Sequence, residues 1–97
     1  MFVAYNLQGQ NFEWDNAKAK SNAEKHGVAF EQAAEVFFDP FRQTGDASVG
    51  NEQRDFIVGY TFSQRLLLAV YTERGERVRI ISARPATRIE RKLYEEA

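Results

Sequence analysis

Cysteine is absent from the 97-residue chain. Disulfides, thiolate metal sites and a cysteine nucleophile are therefore excluded, and a reducing compartment is permitted. Long hydrophobic runs are absent as well. The longest unbroken one, Leu66 to Tyr71, falls far short of the roughly 20 residues that span a bilayer. Residues 1–11 lack a basic start and a long apolar stretch, so no signal peptide is expected and the location reads as cytoplasmic, with no membrane contact. Neither sign of charge dominates: 13 basic against 14 acidic residues give −1, which by itself argues against a nucleic-acid binder. The glycine-rich phosphate loop, the G-x-S-x-G elbow, the H-E-x-x-H helix and the dinucleotide fingerprint are all missing. Histidine occurs once, at His26, with no neighbouring carboxylate pair or cysteines to complete a ligand set. No metal and no cofactor is expected.

What remains has ordinary globular composition, with 43% hydrophobic and 28% charged residues. Aromatic residues reach 13%, enough large apolar surface to close a core without cross-links. A chain of this length has room for one hydrophobic core, so residues 1–97 read as one domain. Residues 1–11 form a lead that is either an extra strand or disordered. The charges are unevenly spread. Residues 1–51 hold 4 basic and 7 acidic side chains, whereas residues 52–97 hold 9 and 7. Eight of those nine are arginine, whose planar fork of donors suits phosphate better than the point charge of lysine.

Phe12-Glu13-Trp14 alternates as a short strand does. Asp15 suits an N-cap, and Gly27 suits the stop of a helix running to Lys25 or His26. Between these caps no apolar side chain exceeds alanine, while Lys18, Asn22, Lys25 and His26 share one face. That face is either plain solvent surface or part of a site. Phe30, Ala33, Ala34, Phe37 and Phe38 make the apolar stripe of a second helix, which Asp39-Pro40 ends. Three antiparallel strands follow, near 56–62, 66–72 and 78–83, with a short one expected at 41–44. In the last, Val78, Ile80 and Ser82 are expected on one face, and Arg79, Ile81 and Ala83 on the other. Thr87-Arg88-Ile89-Glu90 is a capping box opening a final helix, with Ile89 and Leu93 expected to face inward. The fold class expected is α+β.

Two groups of residues carry chemistry. His26 beside Lys25 can exchange a proton near neutrality, or it can simply cap the helix C-terminus. Glu52, Arg54, Arg65, Arg74, Arg79 and Arg84 approach one sheet face or its rim if the strands pair as read. Such a cluster either grips a phosphodiester and stabilises a five-coordinate phosphorus, or forms cross-strand ion pairs facing solvent. The residues alone leave both open.

Several stretches resemble the BrnT family. They are Phe12-Glu13-Trp14-Asp15, then Lys18, Asn22, Lys25-His26-Gly27-Val28, Phe30-Glu31, Ala34, Phe37 and Asp39-Pro40. The later ones are Leu67 to Arg74, Arg79-Ile80-Ile81-Ser82-Ala83-Arg84, Ala86-Thr87, Glu90-Arg91 and Tyr94-Glu95. K-H-G-V and R-I-I-S-A-R in this order are the specific part, although Pro85 stands where the family often has a basic residue. The resemblance implies a ribonuclease toxin of a bacterial type II toxin–antitoxin system that inhibits translation. It implies that the architecture read from the residues, an antiparallel sheet of four to five strands with two N-terminal helices and one C-terminal helix, is a RelE-like fold. It also implies a BrnA-type ribbon–helix–helix antitoxin that neutralises the toxin, assembles with it as a heterotetramer and alone contacts operator DNA.

The chemistry expected on that basis is metal-independent RNA cleavage by the ribose 2′-hydroxyl. Arg79 and Arg84 would clamp the phosphate. Lys25, His26 and Glu52 would share the acid–base work, with Glu52 as base and His26 as acid or the reverse. Lys18, Arg54, Arg65 and Arg74 would contact RNA. The rival readings are a non-catalytic partner-binding domain, an inactivated toxin, or an RNA binder without catalysis.

Overall fold

The computed structural model describes residues 1–97. The chain opens on two alternating segments, β1 (Phe2–Leu7) and β2 (Gln10–Asp15), which pair antiparallel. Gln8 and Gly9 both take positive φ (51° and 89°), as a tight hairpin turn demands. Asp15 then caps α1 (Asn16–His26), its carboxylate accepting the Lys18 amide at 3.0 Å. Gly27 stops the helix in the left-handed region, and its N–H donates to the Ala23 carbonyl. With little apolar surface, α1 is held by a polar pin. The buried Asn22 amide donates to the carbonyls of Ala83 (2.8 Å) and Val28 (3.1 Å), and its oxygen accepts the Ala83 N–H (3.1 Å).

α2 (Phe30–Glu35) is shorter than its apolar stripe suggests, because Val36–Phe38 tighten into a 3-10 turn before Asp39-Pro40. Then come β3 (Gln43–Asp46), β4 (Asp55–Tyr60), β5 (Leu66–Arg74), β6 (Arg77–Pro85) and α3 (Arg88–Glu95). Thr87 and Glu90 form the capping box of α3.

All six strands form one sheet in the order β1-β2-β6-β5-β4-β3. Its pairings are antiparallel except β2 with β6, which run parallel with Glu13 opposite Arg79. This corrects the expected RelE-like arrangement, an antiparallel sheet of four to five strands behind two N-terminal helices. The sheet is mixed and six-stranded, and a hairpin precedes the helices. The reason is physical. Parallel neighbours require a long crossover, and everything from α1 to β5 serves as that crossover. Local alternation at 12–14 gave no sign of the partner strand.

One face of the sheet is closed by α1 and α2 over a core containing Phe12, Trp14, Phe30, Ile57, Leu67 and Ile80. Edge-on aromatic contacts knit it, Trp14 with Phe30 at 5.8 Å and Phe37 with Tyr71 at 4.9 Å. Burying a side chain such as Phe30 contributes about 2–3 kcal/mol. On the opposite face only α3 covers a smaller cluster of Val58, Leu66 and Leu68, through Ala86 and Tyr94. The rest of that face stays open.

Two local expectations are overturned. Strict alternation in the last strand fails at a bulge: Val70 opposes Ser82 but Tyr71 opposes Ile80, leaving Ile81 as the extra residue. Ile80 and Ala83 therefore share the core face, and Arg79 does not share a face with Ala83. In α3, Ile89 and Leu93 are 80% and 48% exposed, not inward. Polar anchors decide its orientation: Glu90 grips Arg84, and the Tyr94 hydroxyl donates to Asp39 at 2.6 Å. No helix is long and apolar enough to cross a membrane.

Candidate active site

Arg79 stands near the start of β6 on the open face, opposite Thr72 of β5 and Glu13 of β2. Its Nε donates to Glu13 Oε2 at 2.7 Å and its Nη2 lies 2.6 Å from the same oxygen. Arg77 approaches the other oxygen at 3.3 Å. Glu13 is only 7% exposed. The Arg79 hydrogen bond holds its carboxyl below the ordinary carboxylate value against the opposing effect of burial, and Arg77 adds to the lowering. The Phe2 ring of β1 lies 4.3 Å from the Arg79 Cζ, close enough for a cation–π contact. A buried carboxylate and an aromatic ring thus fix the guanidinium from two sides.

Beside it opens a cleft of about 100 Å³. Phe2, Asp15, Lys18, Glu52, Arg54, Thr72, Arg74, Arg79, Ile80 and Ile81 line it. Each comes from a different local device. Lys18 sits in the first turn of α1, its amide bound by the Asp15 cap. Arg74 ends β5. Glu52 and Arg54 come from the β3–β4 loop, which turns back on itself through the Val49–Glu52 bridge with Gly50 at φ 59°. Ser48 holds the loop, its hydroxyl donating to Asp46 at 2.6 Å and accepting the Arg54 amide. Arg54 Nη2 meets Glu52 Oε1 at 2.8 Å, while the buried Arg54 Nε has no partner. That hydrogen bond lowers the Glu52 carboxyl below its ordinary value, so near neutrality it is an ionised acceptor. Four cations and two carboxylates therefore line one cleft.

Of the sheet cluster expected from the sequence, Glu52, Arg54, Arg74 and Arg79 are brought together, and Lys18, expected on the helix face of Lys25 and His26, joins them. Lys25, His26, Arg65 and Arg84 do not line the cleft. Exposed Lys25 and half-buried His26 end α1, and His26 lies eight residues beyond Lys18, about 12 Å along the axis. Arg65 ties down the following turn, donating to the Gly27 carbonyl at 3.2 Å and to Gln32 at 3.4 Å. Arg84 is locked in a two-pronged pair with Glu90 (2.7 and 2.8 Å). That pair raises the Arg84 pKa and lowers that of Glu90.

Phe2 and Glu13 are the residues that the sequence did not single out. A charged residue between two aromatics in Phe12-Glu13-Trp14 was the available signal for Glu13. Its partner, 66 positions away, was not. No group of three or more His, Asp or Glu side chains gathers in metal-ligand geometry. The largest cavity, about 450 Å³, lies elsewhere, between the 3-10 turn and α3. Its Asp39 is fully engaged by the Tyr94 hydroxyl and the amides of Tyr60 and Phe41, so it offers no free acid or base.

The model of the family described as "Ribonuclease toxin, BrnT, of type II toxin-antitoxin system" matches residues 14–90. The chain belongs to the BrnT family. It is thus a member of a family of ribonuclease toxins, whose type II systems pair each toxin with an antitoxin. The fold is similar to the 1.1 Å crystal structure of the Brucella abortus ribonuclease toxin BrnT. That match has a TM-score of 0.57 and 19% identity, and covers 77% of this chain and 94% of the Brucella chain. No curated protein sequence matches. Every cleft residue except Phe2 falls within the span matched by the BrnT model.

Proposed function

We propose that this BrnT-family chain is a metal-independent endoribonuclease whose scissile phosphodiester sits in the Arg79 cleft. The observation carrying this reading is an exposed, ionised Glu52 in one cleft with Lys18, Arg54, Arg74 and Arg79. The ribose 2′-hydroxyl is the nucleophile, already adjacent to phosphorus, so proximity supplies much of the acceleration. Glu52 takes its proton as the 2′-oxygen–phosphorus bond forms. Arg79, with Arg54 and Arg74, neutralises the charge that builds on the phosphoryl oxygens. The bond to the 5′-oxygen breaks, and that oxygen takes a proton from Lys18, since arginine does not give one up. The products are a 2′,3′-cyclic phosphate and a 5′-hydroxyl.

The test is cleavage of a defined RNA in excess chelator, with the ends identified by mass spectrometry. A cyclic phosphate end, a bell-shaped pH–rate profile and no cutting of the matching DNA are expected. A linear 3′-phosphate from the first time point, or an absolute need for Mg²⁺, overturns the mechanism.

The antitoxin belonging to this reading is a BrnA-type ribbon–helix–helix protein that forms a heterotetramer with the toxin in the cytoplasm and carries the DNA contacts. Light scattering of the co-expressed pair checks the stoichiometry. The prior pairing of Arg79 with Glu13 favours the rival, non-catalytic reading. Growth arrest on expression of the chain alone, relieved by Arg79→Ala, excludes that rival.

A further inference from the structure

We infer that Phe2 is a specificity residue: its ring is the stacking platform for the nucleobase next to the scissile phosphate. This rests on the ribonuclease reading above and adds a substrate contact to it. The cleft measures about 100 Å³. That suits a phosphate-sized group, and the cleft opens to solvent at its rim, where an attached base can lie. Phe2 is the one aromatic side chain among the lining residues, and it is 51% exposed. An apolar ring of that exposure beside a cationic cleft is the pairing that single-stranded nucleic acid uses, cations for the backbone and a π-face for the base.

The Arg79 guanidinium 4.3 Å from the ring centroid links the two halves of the site. A base stacked on Phe2 would sit next to the group that grips its phosphate. Strand register explains how residue 2 arrives there. Phe2 pairs with Asp15 and Ala4 with Glu13 across the β1–β2 hairpin, so Phe2 shares the open face with Glu13 and Arg79. Phe2 lies in β1, before the 14–90 span that the BrnT model matches.

The test compares wild-type, Phe2→Ala, Phe2→Leu and Phe2→Trp proteins on one short RNA, and on the same RNA with an abasic ribose at the cleavage site. Phe2→Ala and Phe2→Leu should raise KM about 5- to 100-fold with kcat little changed, and Phe2→Trp should restore it. On the abasic RNA the four proteins should be alike. Wild-type cleavage with an unchanged KM in Phe2→Ala overturns the platform and leaves the ribonuclease reading standing. So does a Phe2→Ala effect that persists on the abasic RNA, because the ring would then act through Arg79 alone. Absence of cleavage by the wild-type protein overturns both.

Discussion

Arg79 and Arg84 stand five positions apart on β6, both on the open face and both paired with a glutamate, yet the two ends of the strand work differently. At Arg84 the partner is Glu90, whose carboxylate also accepts the Thr87 amide in the α3 capping box. The guanidinium is used up in fastening a helix to the sheet. At Arg79 the partner is Glu13, a buried residue of a neighbouring strand, and the guanidinium edges a cleft shared with Lys18, Glu52, Arg54 and Arg74. A paired arginine is therefore neither structural nor functional by its pairing. What the carboxylate is attached to, and what else lies within reach, decides which.

The two arginines should differ most in activity. Arg79→Ala should lower RNA cleavage about 10²- to 10³-fold, the cost of losing one preorganised donor to a developing oxyanion, with thermal unfolding showing a native fold. Arg84→Ala should leave kcat within a few-fold. Equal losses from the two variants would erase the distinction.

Acid sensitivity sharpens it next. The carboxyls of Glu13 and Glu90 are both held below their ordinary value of 4.5 by their arginines. Depressed carboxylates contribute stability that is fully present above the unfolded-state value and disappears as pH falls through the folded-state value. Wild-type melting temperature should be flat near neutrality and drop only once pH falls below the ordinary carboxylate value of 4.5. Glu13→Gln leaves Arg79 without its buried partner and should cost about 1–3 kcal/mol at pH 7. Its deficit should shrink under acid, where wild type loses the same interaction.

Smaller again is the α3 fastening. Arg84→Ala or Thr87→Ala should each cost about 1 kcal/mol, one through a partly exposed ion pair and one through a lost cap, read from chemical denaturation. The two should be less than additive, since both act through Glu90. His26→Ala should change activity by under about tenfold, because the ring lies two turns of helix beyond Lys18. A loss of 10²-fold or more would make His26 the general acid and extend the site along α1.

The helix caps and chemical groups were legible in the sequence wherever the signal was local. Asp15, Gly27 and Thr87 announce themselves within a few residues, and the cap hydrogen bonds are there. Charge and residue type pick out Lys18, Glu52, Arg54, Arg74 and Arg79, but equally Lys25, His26, Arg65 and Arg84, which do not line the cleft. What escaped was non-local. The parallel seam between β2 and β6 joins residues more than sixty positions apart, and no periodicity encodes it. Ile80-Ile81-Ser82 reads as continuous alternation, so the bulge that turns Ala83 inward was invisible. Ile89 and Leu93 looked like an inward stripe, but two polar anchors outweighed them and left them facing water. Phe2 and Glu13 became part of the site only once strand register was known.

Asn22 finishes the sheet where a strand runs out. β2 ends at Asp15, so the far half of β6 has no strand on that side, and the Ala83 N–H and C=O would face outward unpaired. A side-chain amide, offering one donor and one acceptor at peptide-like spacing, imitates the missing neighbour and seals the gap. Replace it by leucine and both groups stay buried beneath α1 with no partner, so a loss of about 1–3 kcal/mol for each, and a helix no longer tethered to the sheet, is the penalty.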